Sequence, residues 1–167
     1  MIQLRLLIIV VIIFILAACT NEEITIEQAM KKSNIQFDSI AHVKEMDKGH
    51  LALVFYENNE QFGLGLLKKK RNGWAWEIGN SSRPDSKVEL NWSYSSLNQK
   101  LPLFYGVIHN DAIKRVVVET KDTKKEAEII EAANRRIWLA LVDKPQNPPV
   151  NIYGYDAQEA IIFTTES

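Results

Sequence analysis

Apolar residues are laid out along this chain in three regimes. The first is an unbroken apolar run from Leu6 to Leu16, introduced by Arg5 and closed by Ala17 and Ala18 before Cys19. The second is short and has helical spacing: Ile26, Ala29 and Met30 share one face of a helix predicted to run to about Lys32. Thr25 with Gln28 three residues on has the spacing of a capping box at its start. In the third regime, from Ile35 onward, the spacing becomes that of strands.

Phe37 to Met46 alternates weakly, Asp47-Lys48-Gly49 offers a turn, and Leu51 to Tyr56 is apolar on both faces, as a central strand would be. Glu57 to Glu60 reads as the next turn and Phe62 to Lys69 as the next strand. Asn72-Gly73 is the strongest hairpin signal in the chain, because both residues tolerate φ > 0 in a type I′ turn, and it leads into Trp74 to Gly79. These four strands predict an antiparallel meander. Within it, Gly63-Leu64-Gly65 is read as a place where a neighbouring side chain packs close to the strand.

A polar break over Asn80 to Lys87 precedes a strand predicted over Val88 to Tyr94, and Ser95 to Lys100 reads as a linker. Strands follow over Leu103 to Ile108 and Ile113 to Thr120, around a turn at Asn110-Asp111. Val150 to Tyr155 and Ala160 to Thr164, joined by a turn at Asp156 to Glu159, read as an edge hairpin. Residues 126–142 fit two structures. Thr123 with Glu126 suggests a capped helix carrying Ala127, Ile130, Ile137 and Leu141 on one face. Against it, Asn134-Arg135 could turn a hairpin, and Trp138 to Val142 is apolar all round, like a buried strand. The regularly spaced short strands around this region favour the hairpin.

The expected fold class is therefore mainly β (α+β): a short N-terminal helix, an antiparallel meander, then a sandwich half. The expected organisation is a signal peptide over 1–18, a tether over 19–24, the helix and meander over 25–98, and a β-sandwich-like domain over 99–167.

Charge narrows the partners. With 20 Lys+Arg against 21 Asp+Glu, the chain has a formal net charge of −1, without the concentrated basic face that nucleic acid requires. With one cysteine no disulfide framework is possible, so apolar burial must hold the fold.

The first segment has the layout of a secretory signal: a basic start, an apolar centre and small residues at the cleavage site. Leu16-Ala17-Ala18-Cys19 resembles the lipobox of bacterial lipoproteins, with cleavage between Ala18 and Cys19 and lipidation of Cys19. That resemblance implies a thioether-linked diacylglycerol, whose two acyl chains give stable anchoring at about 0.8 kcal/mol per buried CH₂. A transmembrane helix needs roughly 20 apolar residues, more than this run supplies without including Arg5. A secretory signal cut elsewhere would leave an unpaired cysteine in an oxidising compartment. The implied location is the outer face of the cell membrane. In tone the second half resembles an immunoglobulin-like β-sandwich, and the mature chain resembles small uncharacterised surface lipoproteins of Gram-positive bacteria.

Candidate chemistry is sparse. His42, His50 and His109 lie at no metal-ligand spacing, no serine sits in a Gly-x-Ser-x-Gly elbow, and no phosphate-cradling loop is present, so no catalytic residue, metal or cofactor is expected. Glu57 with Glu60 and Asp111 with Asp156 are the acids that could be named for a hydrolase, all in turns where solvated acids normally sit. Trp74 and Trp76 alternate on one strand, with Ile78 continuing the face; they are either core or an indole platform for a sugar or a protein. Lys68, Lys69, Lys70 and Arg71 cap the same hairpin and could touch anionic headgroups or a wall polymer, or form a solvated tip. The sequence thus predicts a membrane-anchored, non-catalytic binding or accessory protein whose partner is another envelope protein or a wall polymer. The alternative is a small membrane-proximal hydrolase acting on cell-wall material.

Overall fold

The computed structural model describes residues 22–99, 101–132 and 135–165. The apolar leader, Cys19 and Asn134, expected in a turn, lie outside the described residues. Among the described residues the fold is mainly β: one short α-helix and three four-stranded antiparallel sheets stacked as layers. None of the described helices is long and apolar enough to cross a membrane.

Helix α1 (Ile26–Lys32) starts with the predicted box: the Gln28 amide donates to Thr25 Oγ1 at 3.2 Å and the Thr25 amide donates to Gln28 Oε1 at 3.0 Å. These bonds satisfy donors that a helix start leaves orphaned. Its Ala29 and Met30 are buried against Ala52, Val54, Leu67 and Trp74 of the first sheet.

That sheet is the expected meander: β1 (Ser39–Met46), β2 (Leu51–Asn58), β3 (Gln61–Lys70) and β4 (Gly73–Ser82), paired in sequence order. β2 is apolar on both faces because both are covered. Ala52, Val54 and Tyr56 face α1, while Leu53 and Phe55 enter a second core shared with the next sheet. The paired glycines admit aromatic rings. A β-carbon on Gly63 would lie 2.2 Å from the ring of Tyr56, its cross-strand partner, and one on Gly65 would lie 2.0 Å from the Trp76 indole. Two expectations for β4 are corrected. The β3–β4 turn is not type I′: Asn72 does not have positive φ, and only Gly73 does, at +106°. Ile78 does not continue the tryptophan face either. The register shifts between Leu66 and Leu67, leaving Glu77 as the extra residue of a bulge, so Ile78 packs into the core opposite to that of Trp74 and Trp76.

Eight further strands form the sandwich. They are β5 (Ser93–Ser95), β6 (Leu103–Ile108), β7 (Arg115–Thr120), β8 (Lys124–Glu126), β9 (Glu128–Ala132), β10 (Arg135–Leu141), β11 (Val150–Tyr155) and β12 (Ile161–Thr164). One sheet has the order β5-β6-β10-β9 and the other β12-β11-β7-β8, the Greek-key arrangement of an immunoglobulin-like sandwich. Of the strand expected over Val88 to Tyr94, Leu90 makes a single bridge to Ile108, and β5 begins only at Ser93.

The sheet containing β6 and β10 is the middle layer, which explains its sequence. Leu103, Tyr105, Val107, Ile137 and Leu139 face the meander, while Phe104, Ile108, Trp138 and Ala140 face Val116, Val118 and Ile152 of the outer sheet. A strand buried on both faces reads as a continuous apolar run, and the ambiguous 126–142 region is accordingly the hairpin β9–β10. Trp138 is fully buried and satisfies its indole N–H by donating to the carbonyl of Asn91 at 2.9 Å.

Candidate functional site

The two ends of the meander differ in character. At the β3–β4 end the incoming chain is fastened to the hairpin: the Ile24 amide donates to the carbonyl of Asn72 at 2.9 Å, and the Trp74 amide donates to the carbonyl of Ile24 at 2.8 Å. Lys69 forms an ion pair with Glu23 and lies 5.0 Å above the Trp74 ring. Lys70 pairs with Glu77 at 3.2 Å. Lys68 and Arg71 are exposed and make no ion pair among the described residues. Half of the basic tip is thus committed to local carboxylates, and Glu22, Glu45 and Asp47 add negative charge at the same end. Trp74 is only 8% exposed, and Trp76 is half-buried beside Tyr56 with ring centroids 6.1 Å apart. The pair packs into the core beneath α1 and forms no open indole platform.

At the other end, where β2 closes, lies an open cleft of about 680 Å³. From Leu51 to Glu57 the strand advances by roughly 20 Å at ~3.3 Å per residue, which separates this cleft from the hairpin tip. Its polar lining is Glu57, His109, Asp111, Glu131, Arg135 and Arg136, over Val107, Ile108 and Ala132. A neighbouring hollow of about 480 Å³ shares His109 and Arg135 and adds Glu60, Arg83 and Asp85.

The alternation of β10 builds this site. Arg135 and Arg136 are consecutive, so their side chains leave opposite faces of the middle sheet. Arg135 forms an ion pair with Glu57 of the meander. Arg136 reaches the other way: its Nε donates to Glu131 Oε1 at 3.0 Å and its Nη2 to the carbonyl of Ile113 at 2.8 Å. The Arg136 Nη1 is buried and has no hydrogen-bond partner among the described residues. Such an orphaned donor costs about 1–3 kcal/mol and calls for an explanation. His109, just past β6, places Nε2 2.9 Å from Asn91 Oδ1. Burial pushes its pKa below the usual 6.5, the Arg135 charge adds to this, and Asp85 opposes it.

Of the acids named from the sequence, Glu57 and Asp111 meet in the main cleft, joined by Glu131, and Glu60 lines the adjoining hollow. Asp156 instead closes the β11–β12 turn, accepting the amides of Gln158 and Ala160, each at 2.9 Å. His42 and His50 line neither hollow. Glu57, Glu131 and Glu60 are each occupied by a guanidinium, the last by Arg83 at 3.0 Å. Among the described residues no three His, Cys, Asp or Glu side chains gather in a way that could hold a metal.

Sequence reading missed Arg135 and Arg136 as site residues, and their only signal was adjacency at the head of an apolar strand. It also missed Trp92, the exposed indole at 41%, which borders an apolar hollow of about 520 Å³ with Pro148, Pro149 and Val150. Compared with protein-family models, with curated proteins and with solved structures, the chain matches none.

Proposed function

We propose that this chain is a lipid-anchored, extracytoplasmic accessory or binding protein of the cell envelope, held through Cys19 at the outer face of the cell membrane. The observation that carries the reading is the docking of Ile24 on the β3–β4 hairpin, close after Cys19. The link from Cys19 to Ile24 reaches at most about 18 Å when extended, so a lipid on Cys19 holds the hairpin end of the meander near the leaflet. The cleft at the other end then faces outward, towards another envelope protein or a wall polymer. Intact-mass measurement of the membrane fraction tests this. The expected product begins at Cys19 and carries a diacylglycerol, and Cys19→Ser leaves the protein unprocessed or released. Unchanged mass and retention in Cys19→Ser would identify the leader as a transmembrane anchor instead.

A second reading, a membrane-proximal hydrolase of wall material, draws on the meeting of Glu57, Asp111 and Glu131 in one cleft. It requires that purified protein release soluble fragments from cell-wall material and that Glu131→Gln abolish the release.

A further inference from the structure

We infer that the cleft around Arg135 and Arg136 is a binding site for a neutral, polyhydroxylated ligand, a saccharide rather than a polyanion or an apolar molecule. This rests on the binding-protein reading above and names its ligand class.

Three features of the cleft lead there. The first is its charge. Glu57, Asp111 and Glu131 line the main cleft with Arg135 and Arg136, Glu60 and Asp85 line the adjoining hollow with Arg83, and Lys114 joins Asp111, Glu131 and Arg136 in a third, so five carboxylates stand against four cations. A polyanion meets five carboxylates there, three of which already hold a guanidinium group. An uncharged ligand breaks none of these pairs.

The second is unused hydrogen-bonding capacity. A guanidinium has five N–H donors and a carboxylate about four acceptor positions, and each ion pair here leaves several of them open. Neighbouring sugar hydroxyls both donate and accept, so one diol can accept from an arginine and donate to the adjacent carboxylate. Arg136, a residue of this lining, also carries a buried Nη1 without a partner among the described residues, and a ligand oxygen would satisfy it only after the side chain shifts to expose it.

The third is size and texture. A cleft of about 680 Å³ falls within the range of small-ligand sites. Its apolar floor of Val107, Ile108 and Ala132 is small against its polar rim, which suits a ligand whose surface is mostly hydroxyl and amide.

The test is titration of the detergent-solubilised full chain with N,N′-diacetylchitobiose, a neutral disaccharide, followed by NMR of the arginine Nε–Hε resonances. Selective, saturable shifts of Arg135 and Arg136 are expected, with a Kd on the order of 1 mM. Arg136→Lys keeps the charge but loses the planar fork, and weakens binding roughly tenfold. Because Arg136 also holds the Ile113 carbonyl, Asp111→Asn serves as the second variant. Asp111 is exposed and makes no ion pair among the described residues, so its replacement weakens binding by about threefold, one hydrogen bond's worth, at an unchanged unfolding midpoint. A glycerol phosphate oligomer shifts neither resonance. The inference is overturned if the disaccharide leaves both resonances in place, or if the oligomer moves them more strongly. Either failure leaves the anchoring at Cys19 untouched, since that is read from mass and not from binding.

Discussion

Ile24 lies so close against Gly73 that a β-carbon on the glycine would come within 2.3 Å of both the backbone nitrogen and the backbone oxygen of Ile24. The contact is backbone on backbone, and neither side can yield by turning a side chain. Gly73 serves the fold twice, by adopting φ +106° and by leaving room for the incoming chain.

Gly73→Ala is therefore expected to destabilise the protein by about 1–3 kcal/mol and to free residues 22–24 from the sheet. Urea unfolding reads the first effect, and hydrogen exchange at the amides of Ile24 and Trp74 reads the second. Full protection of both amides in the variant would refute the contact.

The Glu57–Arg135 pair joins the meander to the middle sheet with both side chains largely covered, at 17% and 26% exposure. Removing one partner from such a pair leaves the other poorly solvated. A double-mutant cycle with Glu57→Gln and Arg135→Gln should give a coupling of about 1–3 kcal/mol, near the upper limit for partly buried pairs. The exposed Glu27–Lys31 pair of α1 should give only about 0.3–0.5 kcal/mol. Equal couplings would mean that the interlayer pair is solvated like a surface one.

His109 makes stability depend on pH in a stated direction. Its folded pKa lies below the usual 6.5, so as pH falls through 6.5 the unfolded chain takes up a proton before the folded one does. Stability from this group is constant above that range and falls as the pH drops towards the folded pKa. Urea midpoints at steps from pH 7.5 down to 5 should decline, and His109→Gln, which can still reach Asn91, should flatten the part of the decline that begins near 6.5. A midpoint that rises on acidification over this window would contradict the assignment.

The anchored end and the cleft end owe their legibility to different things. The box of Thr25 and Gln28, the apolar run of Leu51 to Tyr56 and the place of the turn before Trp74 were readable because each depends on a few neighbouring residues. The glycines opposite Tyr56 and near Trp76 were readable as gaps for the same reason, though not which ring would fill each.

Where local spacing allowed two answers, distant residues chose between them. Residues 126–142 carry both a helical stripe and a strand's all-round apolarity, and the hairpin prevails because the meander covers Ile137 and Leu139 while the outer sheet covers Trp138 and Ala140. The turn at Asn72-Gly73 holds Ile24 by two backbone hydrogen bonds, and one bulge residue sends Ile78 away from Trp74. The cleft was the least legible, since Glu57 and Arg135 stand 78 residues apart and Arg136 meets the Ile113 carbonyl across a different interface. Sequence by itself determined the mainly β class, the capped helix and the succession of strands in the meander, because hydrophobic period and turn chemistry are local. Tertiary structure alone decided which faces are buried and which charges share a cleft, because those depend on layers brought together only when all three sheets stack.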